Sequence, residues 1–256
     1  MQHAATERND LSTAMGRIPG MEDHVAKYRA RMAPFFTLDP PARVLDVGAA
    51  QGIAMLAFQR AGFEAHGLEP WAPAVEISHE IARAENTTLP IKPGMAESLP
   101  FEDGMFRFVH AYSVMEHVDD PQACFAEAYR VLEPGGAFYF GTSSMLCPRQ
   151  HEIGWFVGFP WYPAPVKKAV MNWAMEHKPE LVGHTTRPAT QWFRHRWVRS
   201  TLKDVGFTRV VNRWHLRRPE ERSGLSQHFV EAAKRYPPVR FLGDLVQPHM
   251  EYLAIK

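Results

Sequence analysis

Apolar and polar positions along the first 140 residues follow two alternating rhythms. Short β-branched or apolar runs are separated by longer stretches in which apolar residues recur every three to four positions. Residues 43–47 predict a first strand, followed by Gly48-Ala49-Ala50-Gln51-Gly52 and a helix to Arg60. Residues 63–68 predict a second strand, 73–84 a helix, and 89–92 a short third strand weakened by Pro90. Residues 106–111 form a fourth strand and 121–132 a helix. A fifth strand at 137–141 follows the Glu133-Pro134-Gly135-Gly136 turn. Ahead of all these lies a helix over 22–36, ended by Asp39-Pro40-Pro41.

From Thr142 to about Ala189 the rhythm breaks into a loop-rich segment dense in Trp, Phe, Pro and His. A helix beginning at Pro188 or Thr190 and running to Val205, a strand over 207–214, a helix over 225–235 and a last strand over 252–255 complete the pattern. The expected fold is α/β: a doubly wound, mostly parallel seven-stranded sheet with a loop- and helix-rich cap inserted after strand five. Residues 1–41 read as an N-terminal tail and helix, and 42–256 as one domain with 142–189 as the inserted cap.

Composition narrows the class. A chain of 256 residues, 45% hydrophobic and 22% charged, can bury one substantial core, and no apolar run approaches the roughly 18 residues a spanning helix needs. The polar start lacks a signal-like apolar region, so a cytoplasmic location is expected. Cys124 and Cys147 have neither metal-site spacing nor disulfide density and read as free thiols. A net charge of +1 argues against a nucleic-acid partner. Acidic residues outnumber basic ones up to Phe140 and the reverse holds afterwards, which suits an anionic acceptor, although scattered solvated arginines give the same count.

In open α/β sheets ligands bind beyond the carboxyl ends of the strands. Gly48 and Gly52 stand there, where a turn must be tight and a ligand must approach the backbone. A dinucleotide fingerprint would need Gly-x-Gly-x-x-Gly, and only Gly-x-x-x-Gly is present. A nicotinamide-dependent oxidoreductase is therefore the less favoured alternative, beside a non-catalytic cofactor-binding protein of the same fold. The turn by itself says little, because any strand-to-helix bend favours glycine.

Five segments in order carry a resemblance: Val44 to Gly52, Gly67-Leu68-Glu69-Pro70, Gly94 to Phe101, Ser113 to Val118, and Ala128 to Gly136. Together they resemble class I S-adenosylmethionine-dependent methyltransferases of the small-molecule type. The resemblance implies S-adenosyl-L-methionine as cofactor, held by Asp46, Gly48, Ala50, Gly52, Glu69, Ala96, Glu97, Leu99 and Ser113. Glu69 takes the place of the acid that holds both ribose hydroxyls, a role that suits a carboxylate facing a vicinal diol. Asp46 is expected to fix the turn and reach the methionine portion. Leu99 and Phe101 either flank adenine or belong to the core.

Three departures stand out. Ala50 replaces a middle glycine and is accommodated if its φ is negative. Met95 stands where relatives often place Asp, leaving the adenine amino group to the backbone of Ala96 or to Glu97. Strand four opens Phe106-Arg107 instead of Phe-Asp.

Transfer from a sulfonium needs alignment and exclusion of water, with a base added for a hydroxyl nucleophile. His117 is the candidate general base, though Glu-His is common there for structural reasons. Glu116, His151, Trp155, Trp161, Tyr162 and His184 are candidate acceptor contacts, the aromatics being equally suited to a core of the cap's own. No histidine pair has metal-site spacing, so no metal is expected. The acceptor is expected to be a small molecule, such as a sugar, a secondary metabolite or a lipid-linked compound. Residues 160–170, with Lys167 and Lys168, suggest a possible peripheral membrane contact.

Overall fold

The computed structural model describes residues 11–150, 153, 156–178 and 187–256. Helices α1 (Leu11–Gly16) and α2 (Ile18–Met32) precede β1 (Arg43–Val47), α3 (Ile53–Arg60), β2 (Glu64–Leu68), α4 (Ala72–Ala84) and β3 (Ile91–Lys92). Then come β4 (Phe106–Tyr112), α5 (Pro121–Val131), β5 (Leu132–Ser143), a 3-10 turn at Phe159–Trp161, and α6 (Ala164–His177). The chain ends with α7 (His195–Val205), β6 (Arg209–Asn212), α8 (Arg213–Leu216), a 3-10 turn at Pro219–Glu221, α9 (Leu225–Arg235), α10 (Pro237–Leu245) and β7 (His249–Ile255).

The seven strands form one sheet in the order β3-β2-β1-β4-β5-β7-β6, with β7 antiparallel to both neighbours. The expected doubly wound, mostly parallel architecture is therefore the one observed. Winding reverses between β1 and β4, so the crevice over their carboxyl ends is where a ligand belongs.

Side chains alternate between two cores. Leu45, Val109, Phe138, Phe140 and Tyr252 pack on one face with α5 and α7. Val44, Phe108, Tyr139 and Leu253 pack on the other with α2 and α3. On this second face the register sets Asp46 beside His110 and His110 beside Tyr139. A polar row results. Asp46 Oδ1 lies 2.7 Å from His110 Nδ1, and the His110 and Tyr139 rings stack at 5.9 Å. Tyr139 Oη donates to Glu251 Oε2 at 3.1 Å, and Arg213 pairs with the other oxygen at 3.2 Å.

Several boundaries differ from expectation for identifiable reasons. The N-terminal helix starts earlier and is two helices, since Pro19 sits in the first turn of α2, where its missing N–H costs nothing. Helix α7 waits until His195 because Phe193 is still bonded to Ser143 O and bridged to Ser144. Strand β6 stops at Asn212, whose side chain accepts from the N–H groups of Trp214 and His215 and so starts α8. Helix α10, which the pattern did not predict, begins on Pro237 and Pro238. The cap contains a helix, α6, and its aromatics make a core of their own: Phe159, Met171 and Trp192, with Phe156 and Tyr162 against them.

His195 lies under this C-terminal layer, 2.6 Å from Tyr252 Oη and 3.5 Å from Asp244, which also accepts from Trp214 Nε1 at 2.6 Å. Burial lowers its pKa from the ordinary 6.5, against the opposing pull of Asp244. The folded state thus prefers the neutral ring, and the unfolded chain takes up the proton first. This contribution to stability is present above pH 6.5 and is lost as pH falls below it. The urea midpoint should drop between about pH 7 and about pH 5.5, and His195→Gln should flatten that slope.

Candidate active site

The site is built where β1 and β2 end side by side, Val47 opposite Leu68. The N–H groups of Gly48 and Ala49 both donate to Leu68 O, at 2.8 and 3.0 Å, and so fold the chain back over the second strand. Glu69 then closes the turn. Its Oε2 accepts the Ala50 N–H at 2.8 Å and its Oε1 accepts the Trp71 N–H at 2.9 Å. Burial raises this carboxyl's pKa, outweighing the two backbone bonds. Each oxygen keeps a second lone pair, so an anchored carboxylate can still accept from a diol.

Around it lies a cavity of about 290 Å³, at the low end for ligand pockets. Of the sequence-predicted residues, Gly48, Ala50, Glu69, Ala96, Glu97, Ser113 and His117 line it. Glu97 is fixed through Oε1, which accepts the Asp119 N–H at 2.9 Å, while its Oε2 is buried without a hydrogen-bond partner. An orphaned carboxylate oxygen in a cavity wall calls for a donor from a ligand. Trp71 and Met95 add apolar surface.

Other predicted residues lie elsewhere. Asp46 turns to the opposite face, bonded to His110, away from the cavity lining. Gly52 takes φ +74, and a Cβ there would meet Leu89, Ile91 and Ser78, so its smallness serves packing. Leu99 is in the core and donates its N–H to Glu127. Glu116 is fully buried and accepts from Thr142 at 2.8 Å. Tyr162 belongs to the cap core, and Trp161 is exposed with its indole N–H donated to Met145 O. Lys167, expected on a lipid-facing patch, is instead buried over the Trp192 ring at 4.7 Å. His151, Trp155 and His184 fall outside the described residues. Among the described residues no cluster suits a metal ion.

Five lining residues escaped the sequence reading: Arg17, Trp71, Ala74, Tyr112 and Arg187. Arg17, at the α1–α2 junction, donates to Gln51 Oε1, so the N-terminal helices help wall the cavity. Tyr112 was legible in principle as the last residue of β4. Burial, reinforced by Glu251, pushes its pKa up to about 12, leaving a protonated donor at neutral pH. Its ring covers Gly141, where a Cβ would lie 2.4 Å from Tyr112 Cε2.

Residues 45–140 match the family model described as a methyltransferase domain. Over that segment the chain resembles the methyltransferases its five motifs led one to expect. It is 36% identical over 118 residues to an uncharacterised methyltransferase from Mycobacterium sp. (strain KMS), an alignment covering 43% of each chain. It is 25% identical over 228 residues to a malonyl-[acyl-carrier protein] O-methyltransferase from Erwinia billingiae, covering 86% of this chain and 84% of that one. Among solved structures, phosphoethanolamine N-methyltransferase 2 of Haemonchus contortus, in complex with S-adenosyl-L-methionine, shares the fold. That comparison gives a TM-score of 0.59 and 15% identity over 90% of this chain and 52% of that one.

Within the matched segment Ala50 has φ +47, not the negative value that would make the residue ordinary. The left-handed conformation costs a residue with a Cβ about 1 kcal/mol, and the Ala50 N–H bond to Glu69 helps hold it there. Ala50→Gly should therefore leave stability within about 1 kcal/mol of the parent. Gly48→Ala should cost about 2 kcal/mol or more, because φ is +73 and its Cβ would sit 2.5 Å from Val114 Cγ2. Chemical denaturation of the two variants checks the contrast.

Proposed function

We propose that the chain is an S-adenosyl-L-methionine-dependent methyltransferase acting on a small-molecule acceptor in the cytoplasm. The observation that carries this reading is that the anchored Glu69 carboxylate and the buried, unpartnered Glu97 Oε2 belong to residues lining one cavity. Glu69 would accept the two ribose hydroxyls, Glu97 Oε2 the adenine amino group, and Trp71 with Met95 would flank the base. In this assignment Glu97 does the work that Met95 cannot.

When bound, the cofactor supplies an electrophilic methyl group. The chain's own part is to hold the two reactants in line and keep water out. Tyr112, Ser113 and His117 line the part of the wall supplied by β4 and the loop after it, which is where the acceptor would meet the methyl group. Tyr112, protonated, would orient the acceptor by donating. His117 would remove a proton where the nucleophile is a hydroxyl. Arg17, bonded to Gln51, and Arg187, 3.4 Å from the Asp119 carboxylate, also line this cavity, and their positive charge favours an acceptor with an anionic group. The relatives named above act on unlike acceptors, so the acceptor class rests on the cavity alone.

Titration calorimetry with S-adenosylhomocysteine should give binding near the micromolar range, about −8 kcal/mol. A folded protein that binds neither it nor S-adenosylmethionine would sink the reading. Glu69→Ala should weaken binding about 10- to 100-fold, the worth of hydrogen bonds to a charged group. Glu97→Ala should weaken it about 10-fold. His117→Ala should leave cofactor affinity unchanged while lowering turnover of a hydroxyl acceptor.

A further inference from the structure

Helix α10 is amphipathic in the wrong sense for a helix packed on a core. Its inner side is Gly243 and Asp244: the glycine lets the helix press on Trp214, where a Cβ would lie 2.4 Å from Cζ2, and the aspartate accepts the Trp214 indole N–H. Pro238, Phe241 and Leu242 in the helix and Val246 just after it follow the i, i+3, i+4, i+8 spacing of a single stripe, with Leu245 and Val239 half-buried. That stripe points outward. Phe241 is 51% exposed, Leu242 58% and Val246 69%. On the preceding helix α9, Leu225 is 89% exposed, and Tyr236 at the bend between the two helices is also exposed. An exposed apolar surface of this extent on a helical hairpin marks a contact.

Basic groups outnumber acidic ones along the hairpin. Lys234 and Arg235 stand at the bend, the guanidinium of Arg235 over the Tyr236 ring at 5.6 Å, and Arg222 precedes α9. The nearby acid, Glu231, pairs with His228 at 3.6 Å. Arg240 caps α9 by donating to the carbonyls of Ala233 and Lys234, which fixes the angle of the hairpin.

We propose that the α9–α10 hairpin is a membrane-surface element that lays Leu225, Phe241, Leu242 and Val246 into the interface of an anionic bilayer, with Lys234 and Arg235 among the headgroups. With 11 and 9 residues its helices lie on the surface and do not cross it. This goes beyond the methyltransferase reading and does not depend on it. It is separate from the contact expected of residues 160–170, where Lys167 is buried while Trp161, Val166 and Lys168 are exposed.

The test is co-sedimentation of the full chain with phosphatidylcholine vesicles, with and without phosphatidylglycerol. Binding should require the anionic lipid and weaken with salt. The double variant Phe241→Ser with Leu242→Ser should bind about 100-fold more weakly, with an unchanged melting temperature because both side chains stand in solvent. Three outcomes overturn the proposal: a parent protein that sediments with neither vesicle, a double variant that binds like the parent, or a parent dimer that this variant splits into monomers. The last would assign the face to a second copy.

Discussion

The carboxylate of Glu69 holds together the end of this molecule where the candidate site lies. It ties the N–H of Ala50, in the turn after β1, to the N–H of Trp71, at the entrance to α4. Two chain reversals that would otherwise move independently become one rigid rim. The arrangement has a cost, since burial makes the ionised form unfavourable. A left-handed Ala50 adds a second local cost. Strain and desolvation gathered at the mouth of a cavity are what a site shaped for a ligand shows, because the ligand's hydrogen bonds complete what folding leaves unfinished.

Behind that rim, strand register decides which polar groups face the cavity and which do not. Asp46 and His110 pair across β1 and β4 on the face covered by α2 and α3, and the row continues to Tyr139, Glu251 and Arg213. Buried charges are tolerable when each finds a partner, and this row supplies partners from four strands and a helix. Asp46 therefore fastens the sheet beneath the turn and leaves the cavity to Glu69 and Glu97. The same parity sends Tyr112, two residues after His110, to the exposed end of that face, where β4 runs out and the cavity begins.

The sheet and the turns that frame the cavity were legible because their signals are local. Period-two runs, glycine-bearing turns and acids at strand ends each fall within a few residues, and their order is that of the topology. What escaped was set by contacts between distant segments. Nothing around Arg17 shows that a helix junction 34 positions before Gln51 will wall the same cavity. The role of Asp46 depended on His110, 64 residues on. Asn212 and the Pro237-Pro238 pair were helix starts that a strand pattern and two prolines concealed.

The C-terminal half was hard to read for a different physical reason. Apolar residues there serve three ends with one vocabulary. Phe159 and Trp192 fill the cap core, Trp214 anchors α10 through Gly243 and Asp244, and Phe241 and Leu242 face solvent. Hydrophobicity alone cannot separate these roles, and even helical periodicity gives the wrong sign for α10. Only the glycine distinguishes the case: Gly243 marks the side on which the helix closes against Trp214. Once that side is fixed, the phenylalanine two positions before it and the leucine beside it must point elsewhere. An apolar stripe opposite a close-packing glycine is thus a surface feature, and the inversion can be read from sequence wherever such a glycine is identified.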